Sequence, residues 1–567
     1  MRNRYDAFWF PPSIRNEIIT GETQYESLHF QGGNPVAEAK GDDVVSVRWP
    51  RLDLADWQWL LGALRRNRKQ VYMDRWTERL PQALRQMRSL WADPENPLRR
   101  SVLEGLESCT GHSVRMLDFA LRLFDQLSVE ELQRAVTCRL PNAVRAEFIA
   151  PEGLGGRIRF FEKGRGKNLL LRLETYRRRP WIMRPAPLDL MVGFAAGNVP
   201  GAGLLFILLG LAATDPESGP PVIIVKNSRR EPIFTPLVLS ALELVDPALL
   251  STTVVTIWDY TDPVLQGFLI GQADLVIAAA SDETIAEIGR TVDLVSAQAR
   301  PVRFHPHGHK VSFSTIGREC LEPDRTEPHS GQPVLPMVAL LAALDVALWN
   351  QQGCLSSRVH FVETEDEQAL AAYAQALTDG LRLLSRLMPK GRGNRRRIHN
   401  LFDHYQALTG GGQVRLFSEY DDDFLVALDR RDLDDDRFRE TVNGCQGRSV
   451  VIIPVADVLE IPRRYLARLP ADRLQTMGVA LGDPEADGLS PRLLSYAEAL
   501  GRVGICSIRT LGRGALPHIA YSWDGYLPLD LIVERPKGHF TSVEFDRPWA
   551  QMAETYRLAQ QSLGLGG

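Results

Sequence analysis

Hydrophobic and polar positions divide this chain into stretches of different texture. Over residues 1–180 the pattern is weak: 57–64 and 116–132 carry apolar residues at helical spacing, and Arg65-Arg66-Asn67-Arg68-Lys69 forms an Arg-rich face that reads as solvated rather than as a partner site. Residues 153–166 are glycine-rich and read as a turn-laden loop or hairpin. From residue 188 the pattern sharpens. Nearly continuous apolar runs at 188–194, 222–225, 252–258 and 275–278 predict buried strands, with helices over 199–213, 232–244 and from Ser281. Such alternation implies a parallel sheet covered on both faces, the doubly wound layout that binds nucleotides. A second α/β block follows, with helices at 334–349 and 367–387 and strands at 358–362 and 449–453. The acidic stretches 421–423 and 432–436 read as exposed, and 503–533 as short strands and turns. There is no convincing internal repeat.

Composition narrows the class. At 567 residues, roughly 150 per domain gives about three to four domains. With 44% hydrophobic and 24% charged residues, the chain is globular rather than disordered or collagen-like. A net charge of −4 gives no global reason to expect nucleic acid or an anionic membrane. The six cysteines contain no Cys-x-x-Cys pair and make no disulfide framework. The first residues lack the apolar core of a signal peptide, and the longest apolar run, 199–213, is too short for a membrane span of about 20 residues. That run reads as a buried helix, and the expected location is cytoplasmic.

Three features could carry chemistry. Ala196-Gly197-Asn198-Val199-Pro200-Gly201 is a tight loop between a buried strand and a helix. It sets Asn198 at the carboxyl end of a strand, where open α/β sheets bind ligands and an amide N–H can meet an oxyanion. Asn198 also suits a plain turn. Val225-Lys226-Asn227-Ser228-Arg229-Arg230 ends the next strand, where Lys226, Ser228 and an arginine could hold ribose hydroxyls or a phosphate. Neither of the two common glycine-rich phosphate loops is present. In Gln352-Gly353-Cys354-Leu355-Ser356 a cysteine follows glycine in a polar loop, whereas Cys506 lies in an apolar run, so Cys354 is the best candidate nucleophile. His305, His307 and His309 alternate, but proline and glycine interrupt them and no fourth ligand is evident, so no metal is expected. One of the three could serve as an acid or base.

Taken in order, these features resemble the aldehyde dehydrogenase superfamily, and within it the LuxC-like acyl-CoA reductases. Gly197-Asn198-Val199-Pro200 is similar to that branch's G-N-V-P, standing where other members carry an oxyanion-hole asparagine. Val225-Lys226-Asn227-Ser228 resembles V-x-K-P-S, whose Lys and Ser hold the adenosine ribose or its 2′-phosphate. Ala280-Ser281 resembles the Gly-Ser beside the cofactor pyrophosphate, with alanine replacing glycine. Cys354 falls at the acylated cysteine, and Ser522-Trp523-Asp524-Gly525-Tyr526-Leu527-Pro528-Leu529 resembles the closing H-D-G-x-x-P-L. Hydrolytic aldehyde dehydrogenases activate water with a Glu in E-L-G-G-K; the matching His305-Pro306-His307-Gly308-His309-Lys310 has no carboxylate.

The resemblance implies an α/β, aldehyde dehydrogenase-like fold with a doubly wound cofactor domain, an α/β catalytic domain and an added, mostly helical N-terminal region. The expected division is 1–180 for that region, 181–330 for NADP(H) binding and 331–500 for the catalytic cysteine. Residues 501–567 are expected to return to the cofactor domain or to an oligomer interface. The implied activity is NADPH-dependent reduction of a fatty acyl-CoA to the aldehyde through an S-acyl-cysteine, with CoA leaving and NADH the less favoured cofactor. NADPH is suggested by Lys226 with Arg229 close by, and Ser228, Ala280 and Ser281 complete the expected cofactor contacts. One alternative is a reductase of carrier-bound acyl or peptidyl thioesters; another is an inactive scaffold for a partner enzyme. A partner that takes the reactive aldehyde, and a homo-oligomer, both stay open.

Overall fold

The computed structural model describes residues 4–37, 44–70, 76–124, 128–163, 183–215, 217–259, 261–390, 396–516 and 518–565. The middle of the 116–132 reading, the end of the 153–166 loop and the expected boundary at 180 lie outside the described residues. The chain forms two compact units: Met1–Val136 with Ala186–His309 and Lys390–Gly393, and Thr137–Pro185 with Lys310–Pro389 and Asn394–Gly567.

The first unit is built on a five-stranded parallel sheet, ordered Arg303–His307, Leu275–Ala279, Leu190–Phe194, Val222–Lys226, Thr253–Thr256. Leu190–Phe194 and Leu275–Ala279 are buried throughout, as expected for strands covered on both faces. The helix Ala202–Ala212 is apolar all round because it too is enclosed, and Gly201 starts it with a φ of 98°, a conformation that favours glycine.

Residues 1–136 do not stand apart from this sheet. Their helices, among them Leu54–Gln70 and Pro97–Thr110, accompany a four-stranded sheet of Arg4–Asp6, Val45–Pro50, Tyr25–Gln31 and Asn34–Val36 that the weak sequence pattern does not announce. Phe10, Ile14, Trp57, Leu60 and Leu64 share a core with Leu190, Val192, Ile224 and Val254, and Trp57 meets Trp258 edge-on at 5.2 Å. Trp9 bridges Val255 through backbone bonds of 2.7 and 3.0 Å, and its indole donates to Glu243 at 2.8 Å. The expected separate region 1–180 is therefore corrected: 1–136 completes the first unit, and 137–185 belongs to the second.

The second unit holds a nine-stranded sheet in the order Val414–Leu416, Leu425–Asp429, Ser449–Val455, Ser357–Glu363, Val311–Ile316, Leu474–Ala480, Ser507–Thr510, Gly538–Val543, Arg157–Glu162. Its seven inner strands are parallel and its two edge strands antiparallel. Residues 501–567 supply Ser507–Thr510, Gly538–Val543 and the helix Pro548–Leu563 to this unit. They do not return to the cofactor sheet, because their strands extend the ladder begun by Leu474–Ala480.

A longer apolar stretch than 199–213 lies in this unit. The helix Val334–Ala347 with the turn to Gln351 is long and apolar enough to cross a membrane, but 83% of that window is buried within the protein. It also carries Asp345, whose carboxylate accepts the backbone N–H groups of Gly512 at 2.9 Å and Gly514 at 2.8 Å. These bonds mark a core helix fastened to the loop behind it.

Candidate active site

In the first unit the parallel strands end along one edge, and the predicted residues follow those ends. Asn198 lies between Leu190–Phe194 and its helix, Lys226 closes Val222–Lys226, and Ala280-Ser281 follow Leu275–Ala279. Leu190–Phe194 and Leu275–Ala279 are neighbours whose helical connections run to opposite sides of the order, which makes the crevice between them the topological switch point where such sheets bind ligands. The loops bearing Asn198 and Ser281 flank that point.

Close approach fixes the Asn198 loop. A Cβ on Gly197 would lie 2.0 Å from Ser228 Oγ, so only glycine fits against the next loop. Ser228 Oγ accepts the Arg230 backbone N–H at 3.1 Å. Ala280 donates its N–H to His307 O at 3.2 Å and has no positive φ, so alanine sits there without the strain that would demand glycine. Ser281 caps the helix Asp282–Gln298, its Oγ accepting from Thr284 N at 3.4 Å. Asp282 in turn accepts the His309 N–H at 2.9 Å and holds the turn after the histidine strand.

The charges at this edge are mixed. Burial and the nearby Arg229 push the Lys226 ammonium down to about 8, partly offset by Asp259. Arg229 itself reaches toward the N-terminal sheet, 3.7 Å from the Glu26 carboxylate and with its guanidinium over Trp49. His305 and His307 lie on the edge strand and are buried, with His309 just beyond it. Among the described residues no group of three or more His, Cys, Asp or Glu side chains is placed to hold a metal ion.

Glu231 was not foreseen from sequence. It is 3% exposed and accepts the N–H groups of Phe234 at 2.8 Å, of Ile233 at 3.2 Å, and of Gly201 in the Asn198 loop. Burial pushes its carboxyl up to about 8 against the pull of those donors. A carboxyl raised in the folded state stabilises the fold when protonated. That contribution is complete below the unfolded value of 4.5 and is lost as pH rises through about 8. Melting temperature is thus expected to fall across this window, with Asp345, raised by burial to about 7, acting in the same sense. Glu231→Gln should flatten the profile in thermal melts, and a wild-type slope in that variant would refute the assignment.

In the second unit Cys354 precedes the strand Ser357–Glu363, at the amino edge of the sheet. The approach to it is strained: Trp349, Asn350 and Gln351 have φ of 56°, 50° and 59°. Each left-handed non-glycine residue costs roughly 1–2 kcal/mol, so the run persists only because its surroundings dictate it. Gln351 bridges two strands, donating to Ser357 O and Ser449 O at 2.7 Å and accepting from Ser449 N at 2.9 Å. Asn350 accepts from the buried Arg448 at 2.8 Å. Ser312 Oγ donates to Cys354 O at 2.7 Å and fixes the cysteine backbone.

Four cysteines are buried, whereas Cys354 and Cys138 are partly exposed. Burial pushes Cys138 up to about 11 and Cys445 and Cys506 up to about 12. The Cys354 thiol is also raised, by burial and then by the Asp524 charge. The Lys310 backbone N–H and the Arg358 and Lys310 cations oppose that rise. Asp524 sits at φ 51° in a tight turn with Gly525 and accepts from Gln475 Nε2 at 2.5 Å. The sequence motif pointed to this segment but not to its electrostatic link with Cys354.

Residues 160–535, more than half of the chain, match the acyl-CoA reductase (LuxC) family. A search of curated proteins finds no match. Among solved structures, the chain is similar to an aldehyde dehydrogenase from Brucella melitensis biovar abortus 2308, with TM-score 0.55 and 12% identity over 92% of this chain and 98% of that one. It is also similar to a NAD-dependent benzaldehyde dehydrogenase from Corynebacterium glutamicum, with TM-score 0.53 and 12% identity over 91% and 98%. A third is the indole-3-acetaldehyde dehydrogenase AldA mutant from P. syringae in complex with NAD+ and IAA, with TM-score 0.52 and 12% identity over 92% and 98%. These likenesses establish the aldehyde dehydrogenase fold. With the match over residues 160–535, this chain belongs to the acyl-CoA reductase (LuxC) family and is an oxidoreductase acting on acyl thioesters or aldehydes.

Proposed function

We propose that the protein reduces a fatty acyl-CoA to the aldehyde with NADPH, through an S-acyl intermediate on Cys354. The observation that carries this reading is Cys354 itself, a partly exposed cysteine that follows a strained turn, in a segment that resembles the family's acylated-cysteine loop. Its thiolate attacks the thioester carbonyl, the C–S bond to CoA breaks, and CoA leaves as the thiol once protonated. By its resemblance to the family's G-N-V-P, Asn198 is assigned the side-chain amide that donates to the oxyanion, a contribution of about 3–4 kcal/mol for one such donor.

The first unit's residues suit a nicotinamide dinucleotide: Lys226, Ser228 and Arg229 offer cations and a hydroxyl at and just beyond the carboxyl end of Val222–Lys226. Ser281 and Ala280 would meet its pyrophosphate. When bound there, the reduced cofactor would supply a hydride, the chemistry that takes a thioester to the aldehyde oxidation level. Cys354 then departs as thiolate and aldehyde is released.

The deciding experiment incubates the protein with NADPH and matched acyl-CoA and acyl-carrier panels, identifying products by mass spectrometry. Aldehyde from acyl-CoAs supports the proposal. Aldehyde from carrier substrates alone transfers it to the carrier-bound reading, and NADPH binding without turnover favours a scaffold.

No carboxylate lies between Pro301 and Gly317, so acyl-Cys354 lacks the water-activating base of the hydrolytic enzymes. Free fatty acid should therefore appear slowly without NADPH, and aldehyde faster once NADPH is added, in quenched-flow sampling of the acyl-enzyme. Hydrolysis matching the reductive rate would mean that His305, His307, His309 or Asp524 is a working base, and would remove this support.

A further inference from the structure

We propose that Glu26, on the N-terminal sheet, tunes the preference between NADPH and NADH by competing with the cofactor's 2′-phosphate for Arg229; this rests on the cofactor reading above. Glu26 and Trp49 are direct partners across the antiparallel pair Tyr25–Gln31 and Val45–Pro50, so both side chains leave the same face of that sheet. Both reach Arg229. Trp49 is 3% exposed and gives a fixed aromatic surface 5.6 Å from the guanidinium carbon, while the Glu26 carboxylate lies 3.7 Å away. The sheet thus contacts Arg229 within the loop that follows Lys226.

The ion pair is weak enough to exchange. Its side chains are 51% and 47% exposed, and such pairs are screened and loosely held. Around Arg229 the acting charges are Lys226, Asp259 and Glu26, so two cations face two carboxylates before any ligand arrives. Asp259 is committed elsewhere, accepting from Thr261 N at 3.0 Å and Thr261 Oγ1 at 2.8 Å. Glu26 is the carboxylate paired to Arg229. A 2′-phosphate adds a charge of about −1.5 to −2 and three acceptor oxygens, so it can replace Glu26 on the guanidinium; a 2′-hydroxyl cannot. Glu26 therefore lowers NADPH affinity and leaves NADH nearly untouched.

Dissociation constants for NADPH and NADH, from tryptophan fluorescence titration of the full chain, test this without requiring turnover. Glu26→Gln should raise the NADPH-to-NADH affinity ratio roughly fivefold, less at high salt. Arg229→Gln should lower the ratio, and Glu26→Gln added to it should change nothing further. If Glu26→Gln leaves the ratio unchanged while Arg229→Gln lowers it, Glu26 is a bystander and the inference falls, with the NADPH reading intact. If Arg229→Gln leaves the ratio unchanged, Arg229 does not meet the phosphate and the inference falls with it. Wild-type protein that binds neither nucleotide would overturn the cofactor reading itself.

Discussion

Cys354→Ala is expected to abolish acyl thioester reduction, a loss of at least about 10⁴-fold, while NADPH affinity stays within a few-fold. The substitution removes the one atom proposed to bond the acyl group and leaves the residues of the first unit untouched. The backbone anchor also survives, because Ser312 donates to the Cys354 carbonyl rather than to its sulfur. An acyl adduct trapped before reduction should map to Cys354 by mass spectrometry. Cys320 and Cys445 are the pertinent controls: both are buried, and burial raises both thiols. An adduct on either would overturn the assignment. The raised Cys354 thiol adds a pH signature. Burial and Asp524 disfavour the thiolate, so alkylation of the resting protein should be slow near neutrality and should rise as pH climbs past the ordinary thiol value of 9.0. Asp524→Asn removes one of the two opposing influences and should shift that profile to lower pH.

The two sheets differ in how legible they were. The cofactor sheet could be read because its strands are buried on both faces: Val222-Ile223-Ile224-Val225 and Leu275-Val276-Ile277-Ala278 leave no polar position to confuse the pattern. The long helix Glu367–Leu387 falls where its periodicity predicts, with Asp366 capping its first turn. Ser357–Glu363 and Ser449–Val455 of the second unit were read on the same ground, but their central neighbour Val311–Ile316 escaped notice for the opposite reason. Val311–Ile316 reads Val-Ser-Phe-Ser-Thr-Ile, yet all six residues are buried. Its hydroxyls are satisfied within the core: Ser314 with Ser357 at 2.9 Å, Thr315 with Tyr496 at 2.7 Å, and Ser312 with the Cys354 carbonyl. A buried polar group bonded to a partner distant in sequence leaves no local signature.

The N-terminal sheet was missed because its strands are short, two of them only three residues long. Its side chains also find partners far along the chain, such as Arg229 for Glu26, more than two hundred positions away. The same limit applied at the site. Asn198, Lys226, Ser228 and Cys354 belong to motifs that can be read along the chain. Glu231 bonds Gly201 across thirty positions and Asp524 acts on Cys354 across 170, so only the folded chain reveals either.

Asn198→Ala is expected to lower kcat by about 10²–10³-fold with a smaller change in KM. A side-chain amide aimed at an oxyanion binds most strongly when charge has developed, so its loss is felt in the transition state more than in substrate binding. The competing account is that Asn198 merely shapes the turn between Leu190–Phe194 and Ala202–Ala212. Glycine separates the two, because it tolerates any turn geometry but donates nothing from a side chain. If the turn is what matters, Asn198→Gly should recover most of the activity lost in Asn198→Ala. If the amide donor matters, both variants should fall by the same factor while keeping wild-type melting temperatures. The loop has other supports for its shape: Gly197 packed against Ser228, Gly201 at a φ of 98°, and the Gly201 N–H held by Glu231. With the turn secured by its neighbours, equal losses in the two variants are the expected result, and full kcat in either would return Asn198 to the turn.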